Sequence, residues 1–324
     1  MTSCDTSGSG ELRFDPLTRE WVNIVGHRQA RPNLPESGCP FCVGGLEAPE
    51  PYDVRSFPNR WPPYAPGPPI DLAAAEATGV TCLPATGAAE VVLFSPEHDQ
   101  SLSTLPAPQL RKVVDLWASR TETLLARPEI EYVLVFENRG REVGATIDHP
   151  HGQIYGYPLI PPAPAREGVV ARAGPCPVCC EVEAELASGA RVVSEAGDWV
   201  AWVPYASQYA YGMRFAPRAH TGSLPALDDR SRDDLVQLLA DALQRYDRLW
   251  PAPRARRASA PFPYLLWFHQ APAGGGEEWH VHAHVAPPLR APGVPRYIAS
   301  GELGGGLLSN TVVPEAAAAA LRDA

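Results

Sequence analysis

Apolar residues follow two rhythms along this chain. Between residues 107 and 126, and again between 227 and 250, Leu, Val and Trp recur three and four positions apart, which predicts two amphipathic helices. The runs Tyr132-Val133-Leu134-Val135-Phe136 and Tyr264-Leu265-Leu266-Trp267-Phe268 are β-branched and aromatic enough to predict buried strands after them. Before each helix an apolar strand runs into a proline and then a histidine, as Val91–His98 and as Met213–His220. Proline, alanine and glycine dominate Pro158–Gly174, which reads as the boundary between the halves. Pro62–Pro69 reads as a surface loop and Gly304–Gly306 as a flexible turn.

The rhythm repeats because the chain reads twice. Cys39-Pro40-Phe41-Cys42 is matched by Cys176-Pro177-Val178-Cys179, and His149-Pro150-His151-Gly152-Gln153 by His280-Val281-His282-Ala283-His284. Several parallels in one order argue for duplication rather than coincidence. The expectation is an α+β fold, a duplicated unit with antiparallel sheets flanked by helices, divided into residues 1–160 and 161–324.

Composition narrows the function. The chain has 324 residues, 45% hydrophobic and 20% charged, with a formal net charge of −10. That charge argues against a nucleic-acid or membrane partner, whose anionic surfaces call for basic patches. No apolar run reaches the roughly 18–20 residues of a spanning helix, and the N-terminus lacks the signature of a signal peptide, so a cytoplasmic location is expected. Among seven cysteines, four form two C-x-x-C pairs, the spacing of a metal or redox site in a reducing compartment. The remaining three, Cys4, Cys82 and Cys180, are expected to be ordinary thiols.

Zinc takes four ligands in a tetrahedron, most often thiolate and imidazole. Cys39, Cys42, His98 and His149 supply such a set in the first half, and Cys176, Cys179, His220 and His280 in the second. A redox pair gives no reason for partner histidines in each copy. A competing set for the second site is Glu167, His269, His282 and His284, a nitrogen and oxygen shell that would also accept iron. One or two metal ions per chain are therefore expected.

His151 is the candidate nucleophile. Strand alternation would put His149, His151 and Gln153 on one face, with His149 on the metal and His151 in the pocket. A neutral imidazole attacks phosphorus well when its other nitrogen is held as a donor, for instance by a backbone carbonyl. Gly152 would leave room for a phosphoryl group against the backbone. Gln153 can donate a hydrogen bond but no proton, so the leaving group must depart unaided, as a sugar phosphate does. Arg28 and Arg31, together with Asn138, Arg139 and the Gly140–Thr146 loop, including Gly144 and Thr146, are candidates to receive the phosphates.

On these residues the chain resembles the galactose-1-phosphate uridylyltransferases of the histidine-triad superfamily. The likeness runs through Asp15-Pro16-Leu17-Thr18, His27-Arg28, Arg31-Pro32, Phe57-Pro58-Asn59-Arg60, Phe94–His98, Phe136–Gly140, His149–Gln153, Trp199–Tyr205, Trp267–Pro272 and His282–His284. The resemblance implies a transferase of galactose metabolism that exchanges uridylyl between UDP-glucose and galactose 1-phosphate through an adduct on His151. It also implies a homodimer that shares active-site residues between subunits. Asn59 would then meet the uridine, Asn138 and Thr146 the phosphoryl region, and Glu302 the hexose. Some members hold the carboxylate-histidine metal set, others a cysteine-type second site, and Cys176, Cys179 and His280 favour the latter here. Relatives with two cysteine-type sites include an ADP-glucose phosphorylase that passes AMP to inorganic phosphate, the alternative function. Arg60 stands where many uridylyltransferases have an acidic residue, which leaves the base open. A zinc-stabilised binding module without catalysis would give His151 and Gln153 no joint role, and a hydrolase would want a better proton donor than Gln153.

Overall fold

The computed structural model describes residues 10–30, 38–250 and 262–324. The first half runs β1 (Glu11–Asp15), β2 (Glu20–Ile24), β3 (Arg55–Pro58), α1 (Leu72–Ala77), β4 (Cys82–Pro84), β5 (Ala88–Leu93), α2 (Ala107–Leu125), β6 (Tyr132–Arg139) and β7 (His151–Tyr157). Two helices follow, α3 (Pro162–Arg172) and α4 (Pro177–Ser188). The second half continues with β8 (Val192–Ala196), β9 (Trp199–Trp202), β10 (Met213–Pro217), α5 (Asp229–Arg248), β11 (Tyr264–His269) and β12 (His282–Ala286). A short hairpin, β13 (Leu289–Ala291) with β14 (Val294–Pro295), and the helices α6 (Ser300–Gly305) and α7 (Pro314–Asp323) close the chain.

Both halves contribute to one antiparallel sheet of nine strands, ordered β3-β5-β7-β6-β11-β12-β10-β9-β8. Its middle reads the same from either end, since β5-β7-β6 meets β11-β12-β10 across the β6–β11 pair. This is the duplication expressed in strand order. A separate three-stranded sheet, β2-β1-β4, stands beside it.

The periodic segments form the predicted helices. In α2, Leu110, Val113, Val114, Trp117, Ala118, Thr121 and Leu124 are buried, and in α5 Leu235, Val236, Leu238, Leu239, Ala242, Leu243 and Tyr246. Asp228 caps α5 by accepting the Ser231 N–H at 2.7 Å. The two helices pack on each other and join the core formed with the sheet. Trp117 of α2 meets Phe94 and Phe268, whose ring centroids lie 5.8 and 5.5 Å away. One indole thus ties the two halves together, and its truncation would cost about 3–5 kcal/mol.

A buried polar network crosses the same seam. Tyr264 Oη donates to Glu137 Oε2 at 2.8 Å, and Arg139 Nη2 donates to both Asp247 oxygens at 2.9 Å. Burial pushes the Glu137 carboxyl up to about 7, against the pull of Arg139.

Three expectations change. Pro158–Gly174 is largely helical: Pro161 and Pro162 stand at the start of α3, where a missing N–H costs nothing. Gly304 and Gly305 lie in α6, and only Gly306, at φ +66°, turns out of it. Cys82 is disulfide-bonded, whereas Cys180 is the exposed free thiol expected. Among the described residues no helix is long and apolar enough to cross a membrane.

Candidate functional site

Three clusters of ligand-type side chains assemble on this frame. Cys39, Cys42, His98 and His149 form the first, with ligand atoms within 4.8 Å of one another. Cys42 Sγ is 3.5 Å from His98 Nδ1 and 3.6 Å from His149 Nδ1. Ligands about 2.1–2.3 Å from a tetrahedral zinc stand about 3.5 Å apart, so the spacing fits that ion. The second cluster repeats it: Cys179 Sγ is 3.3 Å from both His220 Nδ1 and His280 Nδ1, and Cys176 Sγ is 3.6 Å from His280 Nδ1.

The tautomers agree with that reading. His149 Nε2 is 2.8 Å from the Ser95 carbonyl, His280 Nε2 is 2.9 Å from the Pro217 carbonyl and His220 Nε2 is 2.7 Å from the Glu277 carbonyl. Each Nε2–H therefore donates to a backbone oxygen, and each Nδ1 lone pair faces the sulfurs. Burial, with the neighbouring thiol, pushes Cys42 and Cys179 up to about 11 each. Two adjacent thiolates need a cation to be stable, and a divalent ion supplies it. Local structure differs between the copies: Cys39–Cys42 lies in turns, whereas Cys176 caps α4.

Glu167, His269, His282 and His284 form a third cluster. Expected as a rival to Cys176, Cys179, His220 and His280, this set is assembled alongside it. Glu167 Oε2 is 2.9 Å from His269 Nδ1 and 3.6 Å from His282 Nε2. Burial alone would raise the Glu167 carboxyl, but the hydrogen bonds of His269 and His282 outweigh it and hold the group well below the usual range. His284 Nε2 is buried without a hydrogen-bond partner, which is the state of an imidazole awaiting a cation. The residues fit a hard or borderline metal such as iron or zinc.

His151 stands at the first residue of β7. His149 precedes the strand rather than belonging to it, because the bend at Pro150 buries its ring beside the cysteines. His151 Nδ1 lies 2.7 Å from the His149 carbonyl, so Nδ1–H donates there and the ring's lone pair falls on Nε2. Residues 151, 153, 155 and 157 share the more open face of β7. On that face Gln153 Oε1 accepts from Asn59 Nδ2 and from Tyr155 Oη, each at 3.3 Å. With its carbonyl so occupied, the amide has only N–H groups to offer a ligand.

Gly152 faces the other way and has a different task from the one expected. A Cβ there would stand 2.8 Å from Phe94 Cζ and 2.9 Å from the Phe136 carbonyl, so the glycine admits the core and leaves no phosphoryl space. Phe136 pairs with Gln153, which places Asn138 on the same face as His151 and Gln153. Gly144 ends a short 3-10 turn at φ +80°, and Thr146 follows in the loop that leads to His149. Arg28 lies in another 3-10 turn, whose His27 Nε2 is 3.1 Å from the Pro62 carbonyl, near Asn59. Arg31 lies outside the described residues. Glu302 is not brought to this face by any contact: its oxygens accept from Ala299 N–H, Ser309 N–H and Arg296.

Two side chains at the site carried little signal in the sequence. Phe41 packs edge-on against His151, ring centroids 5.0 Å apart, and only its presence inside the first C-x-x-C, where the second has Val178, hinted at it. Tyr52 reaches His149 Nε2 at 2.8 Å and lies in an unremarkable Pro-rich stretch.

The family models described as galactose-1-phosphate uridyl transferase, N-terminal and C-terminal domains, match residues 48–161 and 178–324. A galactose-1-phosphate uridylyltransferase from Thermotoga maritima is 34% identical over 322 residues, 97% of this chain and 98% of that protein. An ADP-glucose phosphorylase from Arabidopsis thaliana is 27% identical, with 97% of this chain and 93% of that protein covered. A solved uridylyltransferase structure superposes with a TM-score of 0.83 at 30% identity, covering 97% of each chain.

Proposed function

Because the chain belongs to the galactose-1-phosphate uridylyltransferase family, we propose that it exchanges UMP between UDP-glucose and galactose 1-phosphate through a covalent uridylyl group on His151. The observation that carries this reading is the 2.7 Å contact between His151 Nδ1 and the His149 carbonyl. It fixes the tautomer that attacks and supports the positive charge that grows on the ring.

In the first half-reaction Nε2 bonds to the α-phosphorus of UDP-glucose and the bond to the bridging oxygen breaks, releasing glucose 1-phosphate. Gln153 steadies a phosphoryl oxygen with its amide N–H. No proton is needed, because the phosphate leaves as an anion. In the second, the phosphate of galactose 1-phosphate attacks the same phosphorus, UDP-galactose forms and the imidazole returns to its starting tautomer. Arg28 and Arg31, with Asn138, Gly144 and Thr146, are proposed to receive the phosphates, Asn59 the uridine and Glu302 the hexose.

Zinc in the two cysteine-histidine clusters would brace the turns that hold them, and a further cation would suit Glu167, His269, His282 and His284. Tyr297, Ile298, Leu303 and Leu307 expose a cluster of large apolar side chains around α6. We propose that this patch is covered in a homodimer, which would also carry Glu302 to a partner's site.

Incubation with UDP-glucose labelled in its uridylyl phosphate tests the proposal. The label should survive denaturation at neutral pH and be released by acid, as phosphohistidine is. No label on the wild-type chain would sink the reading. Label from ADP-glucose that passes to inorganic phosphate, with none from UDP-glucose, would assign the chain to phosphorolysis instead.

A further inference from the structure

Zinc-type ligation and the nucleophile meet at His149, and one hydroxyl reaches the ring there from outside both. Tyr52 Oη lies 2.8 Å from His149 Nε2, 2.7 Å from the Phe41 carbonyl and 3.0 Å from the Ser95 carbonyl. We propose that Tyr52 is a positioning residue for the nucleophile: its hydroxyl fastens the Cys39–Cys42 turn to the His149 ring, which the Ser95 carbonyl beyond β5 also holds, and the His149 carbonyl passes that constraint to His151.

The donor count fits this role. With Nδ1 facing the sulfurs, His149 Nε2 carries its single proton, which the Ser95 carbonyl and the Tyr52 oxygen are both placed to receive. The tyrosine proton goes to the nearer acceptor, the Phe41 carbonyl. Phe41, whose carbonyl is held in this way, is also the residue whose ring edge meets His151. Tyr52 thus controls the imidazole plane by two routes, through the His149 main chain and through the Phe41 ring.

The second half supplies a built-in comparison. His280 Nε2 is held by the Pro217 carbonyl, and no hydroxyl of this kind reaches it among the described residues. His282 repeats the nucleophile's bond, with Nδ1 2.9 Å from the His280 carbonyl, yet its Nε2 faces Glu167. The additional tie is found where group transfer is assigned and is missing where only ligation is. This inference rests on the proposed uridylyl transfer.

The test is Tyr52→Phe in the full chain, which removes one oxygen and keeps the ring. A loosened second shell usually costs about 10–100-fold in metal affinity or activity. Zinc release to a metallochromic chelator should therefore show one equivalent leaving about tenfold faster, while the other, from Cys176 and its partners, keeps the wild-type rate. Single-turnover labelling from UDP-glucose should slow about tenfold with KM within about twofold. Wild-type release of both equivalents, or a defect confined to KM, would overturn the inference. If Tyr52→Phe does not fold, 3,5-difluorotyrosine at 52 keeps the donor and weakens the acceptor, and it should shift both readouts in the same direction. A wild-type chain that takes no label would count against uridylyl transfer itself, while the zinc comparison would still report on the hold of Tyr52 on His149.

Discussion

The two halves lay the same backbone frame under opposite chemistry. Gln153 stands between Val91 of β5 and Phe136 of β6, and His284 stands between Arg214 of β10 and Trp267 of β11. By that register His151 matches His282, and Asn138 matches His269. Trp267 lies directly across from Phe136, so both sites open on one face of the sheet. In the first half the face offers an imidazole with neutral amide donors beside it, which suits an anion. In the second the same positions are all histidine, and Glu167 descends on them from α3, which suits a cation. The two pockets share one histidine, and two differences, Gln153 against His284 and Asn138 against His269, together with one carboxylate make the second a ligand set.

The sharpest way to break this contrast is to remove the matched imidazoles one at a time. His151→Asn should lower uridylyl transfer by on the order of 10⁴-fold or more, since the bond-forming atom is gone. His282→Asn should cost no more than about tenfold, through lost ligation. Steady-state exchange between UDP-glucose and galactose 1-phosphate measures both, and equal losses would show that the halves are not specialised as described.

How much of this was legible beforehand follows from the range of the interactions involved. The C-x-x-C pairs, the spaced histidines and the two helices are local patterns, and they fixed the duplicated α+β reading. The β6–β11 pairing is not local: nothing in Tyr132–Phe136 or Tyr264–Phe268 says that these strands adjoin, so two sheets and one sheet were equally compatible with the pattern. Proline content misled at α3, because a helix start and a loop tolerate the same residue. Coexistence of the two sets proposed for the second site was hidden, since His280 and His282 are adjacent in pattern but join different clusters. Tyr52 acts through atoms contributed by Phe41, Ser95 and His149, a meeting that only the folded chain creates.

The seam between the halves supplies the next effect. Glu137 is held up at about 7 by burial, above its ordinary value of 4.5. A carboxyl raised on folding contributes stability that is complete below about 4.5 and is lost as pH rises through about 7. Its share of the change is of the order of 3 kcal/mol. Glu137→Gln should therefore flatten the stability profile between these pH values and make the variant comparatively more stable at pH 8. Urea unfolding at pH 5 and pH 8 reads this out, and an unchanged difference between the two would mean that Glu137 is ionised throughout.

A smaller effect separates the clusters within the second half. Glu167→Gln keeps the shape of the side chain but removes the charge that complements a cation. Retention of a metal by His269, His282 and His284 should weaken about 10–100-fold, with the cysteine-held equivalents unaffected. Metal analysis after dialysis against a weak chelator distinguishes the sets. Loss of cysteine-held zinc in that variant would indicate that the two clusters compete for one ion after all.

The smallest effect concerns how Glu167 comes to be there. Gly168, its neighbour on α3, is pressed against Trp279, and a Cβ at that position would stand 2.8 Å from two atoms of the indole. The close approach lowers α3 onto the sheet and lets the carboxylate reach His269 at 2.9 Å. Gly152 does a similar thing under β7, where Phe94 takes the space. Alanine at either position should cost about 1 kcal/mol, the lower end of overpacking. Their consequences should differ, because a lifted α3 withdraws a ligand whereas a distorted β7 misdirects His151 and Gln153. Gly168→Ala should weaken the third metal equivalent and spare labelling of His151, and Gly152→Ala should do the reverse. Identical responses from the two variants would mean that α3 and β7 move as one body, and that the carboxylate was set by the sheet rather than by the helix above it.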